Sequence, residues 1–90
     1  MTARNTVDIQ YTEWTLGKWI GYFGNYAVKI EELGPCVYWF EVQQNYVRVA
    51  DVYSFRKGRY LRNFDQADQS ARMIIYKLQY GRYKPGATTN

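Results

Sequence analysis

The clearest pattern in the chain is a strict alternation of apolar and polar side chains over residues 26–32. Tyr26, Val28 and Ile30 share one parity, and Ala27, Lys29 and Glu31 share the other. Successive side chains of a β-strand point to opposite faces, so the pattern predicts a strand with one buried and one solvated face.

Three other segments nearby also have the composition of strands. Residues 18–23 lie between glycine turns, residues 36–42 are rich in aromatic and β-branched side chains, and residues 46–53 carry apolar side chains on both parities. The mixed parity of the last segment predicts a β-bulge near Ala50. Together these segments predict an antiparallel meander.

Helical periodicity replaces the strand pattern after residue 64. Apolar side chains recur there at spacings of four, three and four residues, which predicts an amphipathic helix with one face on the sheet. Asn63 or Asp65 can cap its N-terminus, and Gly81 suits the position after its C-terminus. The sequence therefore predicts the α+β class, an antiparallel three- or four-stranded meander with one C-terminal helix packed on one face. The apolar positions of the helix are Ala67, Ala71, Ile74, Ile75 and Leu78.

Length and polarity predict one domain with two loose ends. A chain of 90 residues cannot divide its core in two, and a 47% hydrophobic composition is enough for a folded body. We expect a flexible N-terminal arm over 1–12, a single α+β domain over 13–81 and a flexible basic tail over 82–90. No apolar run is long enough to cross a bilayer and the N-terminus lacks the apolar stretch of a signal peptide, so we expect a cytoplasmic protein.

The side chains that most catalytic and metal sites need are missing. There is no histidine, which removes the commonest general base and the commonest metal ligand. Cys36 is the single cysteine, and its apolar neighbours predict a buried small side chain. Glu41 has the opposite parity to Phe40 and Val42, so we expect it to face solvent. No glycine-rich nucleotide motif occurs, and the sequence predicts a protein without catalytic activity, cofactor or metal.

The net charge of +4 is unevenly distributed. Residues 1–55 carry four basic and six acidic side chains, a net charge of −2, whereas residues 56–90 carry eight basic and two acidic side chains, a net charge of +6. This asymmetry favours an acidic partner, either an acidic protein surface or nucleic acid.

The stretch YSFRKGRYLRNF at residues 53–64 is the main candidate for a binding surface. Its four cations precede a helix N-terminus, where the helix dipole disfavours positive charge unless an anion lies nearby. Tyrosine and arginine are enriched at protein interfaces, and both can also hold nucleic acid. A solvated connection, a protein interface and a nucleic-acid contact are all open for this stretch. The candidate partner-binding residues are Tyr53, Arg56, Lys57, Arg59, Tyr60, Arg62, Arg82 and Lys84.

Aromatic side chains form 19% of the chain, including 10 tyrosines. A core of this size cannot enclose them all, so several must reach the surface, where they make good contact residues. Val37 and Trp39, if they face away from the helix, would form an exposed patch that a homodimer could bury.

The order of strands followed by a helix with small residues at Ala67 and Ala71 is similar to the last part of a double-stranded RNA-binding domain. The resemblance covers about residues 26–80, lacks a leading helix, and departs from that family's glycine-rich entry to the last helix at Lys57-Gly58-Arg59. The small size and aromatic surface also resemble accessory proteins of phages and other mobile elements, many of which mask a host protein.

These observations favour a non-catalytic binding protein of this accessory type that engages an acidic macromolecule, and inhibition is one mode of action open to it. A sequence-independent nucleic-acid-binding module and a self-associating structural protein are the two alternatives.

Overall fold

The computed structural model describes residues 7–52 and 60–81. Five antiparallel strands follow one another in chain order within a single sheet, and one helix comes after them. The predicted α+β class, an antiparallel meander with one C-terminal helix packed on it, is confirmed, and the sheet has one strand more than the largest number predicted. The elements are β1 (Gln10–Thr15), β2 (Lys18–Phe23), β3 (Tyr26–Gly34), β4 (Val37–Gln44), β5 (Val47–Asp51) and α1 (Phe64–Gln79).

A two-residue turn connects the two strands of each of the four hairpins. The last paired residues before the turns are Thr15 with Lys18, Phe23 with Tyr26, Gly34 with Val37, and Gln44 with Val47. Each turn needs positive φ in at least one residue, which is typical of tight hairpins. Glycine supplies it in the first two turns, whereas Cys36 and the Asn45-Tyr46 pair supply it in the others.

Cys36 is exposed at the tip of the β3–β4 turn, so the prediction of a buried cysteine is wrong. Pro35 fixes the first φ of this turn, and Cys36 then adopts a φ of 56°. The apolar run that follows begins one residue later, at Val37. The side chain therefore leaves the sheet at the tip of the turn.

Residues 7–12 belong to the folded domain, so this part of the predicted flexible arm is wrong. Val7 and Ile9 are 6% and 4% exposed and lie in the core, and β1 begins at Gln10 and pairs with β2. The Tyr11 hydroxyl of β1 bonds to Asp68, 57 residues further along the chain, and a local pattern does not indicate such a contact. Residues 1–6 and the predicted tail over 82–90 lie outside the described residues.

One face of the sheet packs against α1 and forms the core. The helix lies across β3 and β4, and the inward side chains at the centre of these two strands are fully buried. The predicted apolar face of the helix is confirmed, and Leu78 packs at its margin. Fully buried side chains of the sheet include Val28, Ile30, Phe40 and Val42, and those of the helix include Ala67, Ala71, Ile74 and Ile75.

The predicted helix caps are also confirmed. The side-chain oxygen of Asn63 accepts a hydrogen bond from the backbone N–H of Gln66 at 2.8 Å. Gly81 has a φ of 70°, and its N–H donates to the carbonyl of Leu78 at 3.2 Å. The predicted bulge near Ala50 is present as well, because the register between β4 and β5 shifts between the pairs Val42–Ala50 and Gln43–Arg48.

A polar cluster on α1 holds the N-terminal segment against the core, and we name it the Arg72 clamp. The Nε of Arg72 donates to Asp68 Oδ1 at 2.8 Å, and its two terminal nitrogens donate to the backbone carbonyls of Val7 and Ile9. The Tyr11 hydroxyl donates to the same Asp68 oxygen at 2.8 Å. The clamp therefore joins the helix to the segment that enters β1.

We expect the free energy of unfolding to fall as pH rises above about 10, in part because of Tyr11. Burial raises the pKa of the Tyr11 phenol well above its ordinary value, and the hydrogen bond to Asp68 raises it further. The unfolded state then releases a proton that the folded state retains, so the loss approaches at most about 1.4 kcal/mol per pH unit.

Urea unfolding at a series of pH values from neutrality upward tests this expectation in the wild type and in Tyr11→Phe. The variant should show a shallower fall above the ordinary phenol pKa, whereas Tyr46→Phe, at a side chain 92% exposed, should keep the wild-type slope. Equal slopes for the wild type and Tyr11→Phe would contradict the assignment.

Candidate functional site

Two of the eight predicted partner-binding residues, Tyr60 and Arg62, fall within the described part of the chain. Both are exposed, and the Tyr60 side chain is 39% accessible. The structure brings them together at one edge of the sheet, directly before α1. The other six, which lie outside the described residues, are Tyr53, Arg56, Lys57, Arg59, Arg82 and Lys84.

Leu61 fixes the position of this edge. The Leu61 N–H donates to the Tyr38 carbonyl at 3.0 Å, and the Tyr38 N–H donates to the Leu61 carbonyl at 2.7 Å. Leu61 therefore pairs with β4 on the same side as β5, beyond the point where β5 ends. The Leu61 side chain is 1% exposed and anchors the core. The Arg62 N–H donates to Gln66 Oε1 at 3.0 Å, which ties the edge to the first turn of α1. We call this region the Tyr60–Arg62 edge.

The face of the sheet opposite α1, called the open face here, mixes aromatic and charged side chains. The strand register places Trp39 on it, while its neighbour Phe40 points toward the helix. Trp39 is half-buried and lies 5.8 Å below the Arg48 guanidinium. Arg48 therefore lies over Trp39, one of the two residues of the patch that was predicted to favour a homodimer.

Glu41 also lies on the open face, as its parity predicts, but it is 6% exposed rather than solvated. It accepts hydrogen bonds from Gln43 at 2.6 Å and from Arg48 at 3.1 Å. Arg48 also pairs with Asp51 at 3.2 Å. The prediction of a solvent-facing Glu41 is wrong because these neighbouring side chains cover the carboxylate and supply the hydrogen bonds that it needs when buried.

The charges of the open face balance one another. Three cations and three anions occupy it according to the strand register, and residues 7–52 as a whole carry three basic and six acidic side chains. Such a surface does not attract a phosphate backbone. The six charged residues are Lys18, Lys29, Arg48, Glu31, Glu41 and Asp51.

Within the two described ranges, no group of three or more potential ligand side chains is placed to hold a metal ion. No helix in those ranges has both the length and the apolar character needed to cross a membrane.

A groove of about 170 Å³ opens at the end of the sheet where the β2–β3 and β4–β5 turns lie side by side. Backbone and side-chain hydrogen bonds join the two turns, from Asn45 N to Asn25 O at 3.0 Å and from Asn25 Nδ2 to Asn45 Oδ1 at 3.3 Å. We name it the tyrosine groove, because Tyr22 and Tyr46 are 61% and 92% exposed. Its lining includes Tyr22, Asn25, Tyr26, Ala27, Asn45 and Tyr46.

The groove follows from side-chain size. Ala27 pairs with Tyr22 on one side and with Gln43 on the other, so a small side chain sits between two large ones on the open face. No local pattern in the sequence indicates this site. The surplus of tyrosines indicates that some reach the surface, but the meeting of two turns twenty residues apart depends on the register of the sheet.

No protein-family model, curated protein or solved structure matches this chain. The likeness to the last part of a double-stranded RNA-binding domain therefore has no counterpart among the comparisons.

Proposed function

We propose that this protein is a non-catalytic binding domain of the cytoplasm that engages an acidic protein surface through the Tyr60–Arg62 edge. The proposal includes Tyr53, Arg56, Lys57 and Arg59 as further contact residues. Inhibition by masking the partner is the mode of action that we favour, since exposed Tyr60 and Arg62 can cover a partner's surface.

The observation that carries the proposal is the exposure of Tyr60 and Arg62 at a well-anchored edge. Leu61 between them is buried and bonded to Tyr38, so the two exposed side chains project from rigid backbone. Tyrosine and arginine are typical anchors of protein interfaces, and an anchored backbone loses little conformational entropy on binding.

The distribution of charge supports an acidic partner. Residues 7–52 have a net charge of −3 and residues 60–81 a net charge of +1, so the overall value of +4 comes from the remaining segments. Residues 53–59 contribute three of those cations, and the chain ties this segment to Val52 and to Tyr60. Three cations therefore precede the Tyr60–Arg62 edge directly in the sequence, while the charges of the open face balance.

Charge reversal tests the proposal. We expect Arg59→Glu with Arg62→Glu to weaken binding of a labelled oligoglutamate peptide, a stand-in for an acidic protein surface, by about tenfold or more at low salt. Lys18→Glu with Lys29→Glu makes the same change in net charge on the open face and should have a much smaller effect. Equal losses in the two double variants would remove the assignment to this edge.

The same titration separates the alternatives when labelled single- and double-stranded DNA and RNA are added at about 50 and 200 mM salt. Nucleic acid bound in preference to oligoglutamate, with a steep fall between the two salt concentrations, would replace the proposal with a nucleic-acid-binding function. Sedimentation of the free protein at two concentrations would reveal self-association, which would redirect the proposal to a homodimer.

A further inference from the structure

The backbone of Tyr46 adopts a conformation that its side chain disfavours. Asn45 and Tyr46 have φ values of 53° and 69°, so both central residues of this turn lie in the left-handed region, as a type I′ turn requires. Asparagine followed by glycine is the usual sequence for such a turn, whereas a bulky residue at this φ is rare and strained.

The Tyr46 side chain contributes little packing to the fold. It is 92% exposed, so almost none of its surface is buried in the core. A strained residue that contributes little packing is a reason to suspect a functional role, because selection for stability alone would favour glycine here. Its position beside the exposed Tyr22 places that role at the tyrosine groove.

The lining of the groove limits the class of ligand. No charged side chain lines it, and its walls are phenol rings and asparagine amides. A neutral ligand is therefore favoured. A nucleobase would bring a phosphate backbone toward residues 7–52, whose net charge is −3, so single-stranded nucleic acid is disfavoured.

The hydrogen-bonding capacity of the groove favours a peptide over a sugar. Asn25 and Asn45 use one donor and one acceptor in the bond between them, and their remaining N–H groups and the tyrosine hydroxyls can donate to the carbonyls of a peptide. The lining has no carboxylate or guanidinium, the groups that bind two neighbouring hydroxyls of a sugar at once. A polyproline II segment presents flat apolar rings and backbone carbonyls that lack internal hydrogen bonds, and aromatic-lined grooves are a common way to bind it.

We propose that the tyrosine groove binds a prolyl ring of an extended, proline-rich peptide segment. Tyr22 and Tyr46 hold the ring, while the asparagine amides and tyrosine hydroxyls donate to carbonyls of the peptide. The groove lies beyond Gln44 at the end of β4, and the Tyr60–Arg62 edge lies at Tyr38, six residues earlier on the same strand. The two sites are therefore about 20 Å apart, and one can exist without the other.

Amide chemical shifts measured during titration with decaproline test this inference. We expect saturable shifts at Gly24, Ala27 and Asn45, and no comparable shifts with a glycine-serine peptide of equal length or with a methyl glucoside. Absence of shifts up to millimolar decaproline, or stronger shifts with the glucoside, would overturn the proposal.

Variants at Tyr46 separate binding from folding. Tyr46→Gly should raise the Tm by a few degrees, since glycine adopts this φ without strain, and should weaken decaproline binding about tenfold. Tyr46→Phe keeps the ring and should retain most of the affinity, and Trp14→Ser, at a side chain 58% exposed near the other end of the sheet, should bind like the wild type. A Tyr46→Gly variant that binds decaproline as tightly as the wild type would refute the role of the tyrosine.

Discussion

Replacing Arg72 with methionine is expected to lower the free energy of unfolding by about 3 kcal/mol. Methionine keeps most of the apolar stem but removes every hydrogen bond of the guanidinium. Asp68, which is 8% exposed, would lose its cation, and the carbonyls of Val7 and Ile9 would lose their donor. A buried carboxylate without its partner costs far more than the loss of a surface ion pair.

Chemical denaturation of Arg72→Met and Arg62→Met measures this effect against a matched control. Arg62 is an exposed arginine just before the same helix, so its side chain should contribute less than about 0.5 kcal/mol. Combining Arg72→Met with Asp68→Asn should cost less than the sum of the single changes, because the second change removes the stranded charge. Arg72→Met as stable as Arg62→Met would show that the clamp does not hold the fold together.

The helix and the central strands could be predicted because their patterns are local. The recurrence of Tyr26, Val28 and Ile30 at every second position reflects burial against α1, and the helical spacing from Ala67 to Leu78 reflects the same contact from the other side. The caps at Asn63 and Gly81 depend on backbone groups within the same few residues. Burial of one face of a strand or helix therefore produces a periodic order of apolar side chains that can be recognised in the sequence.

The features that sequence analysis missed depend on partners distant along the chain. The β1 strand has few apolar residues, and Arg72 and Asp68 of the helix secure it and the segment before it. Glu41 is buried because Arg48, on the neighbouring strand, covers it. In both cases a polar side chain is stabilised by a charge-assisted contact that no periodicity can indicate.

Of the two candidate sites, only the exposure of the Tyr60–Arg62 edge could be expected from local sequence. The exposure of Tyr60 and Arg62 agrees with their expected place in a connection before the helix, since a basic stretch next to a helix N-terminus is seldom buried. The tyrosine groove was not predictable, because it needs Tyr46 in a left-handed conformation and two turns in register. The composition shows only that tyrosines are numerous, and the strand pairing determines which of them line the same groove.

Replacing Gly21 with alanine is expected to lower the free energy of unfolding by about 2 kcal/mol. Gly21 lies in β2 under the segment that the Arg72 clamp holds down. A methyl group there would come within 2.5 Å of Ile9 Cγ2, 2.9 Å of Tyr11 Cδ1 and 3.0 Å of the Gln10 carbonyl oxygen. These distances are too short for real contacts, so β1 and the residues before it would have to move away from the core.

Gly34→Ala provides the control for this change, because an added methyl group at Gly34 meets no atom within 4 Å and the φ there is not positive. That variant should unfold within about 0.5 kcal/mol of the wild type or be slightly more stable. Combining Ile9→Ala with Gly21→Ala should cost less than the sum of the two single changes, because Ile9→Ala removes the atom nearest to the new methyl group. Purely additive costs would mean that the two side chains do not share this space, whereas a cost below the sum would show that the absence of a side chain at Gly21 lets the N-terminal segment close over the sheet.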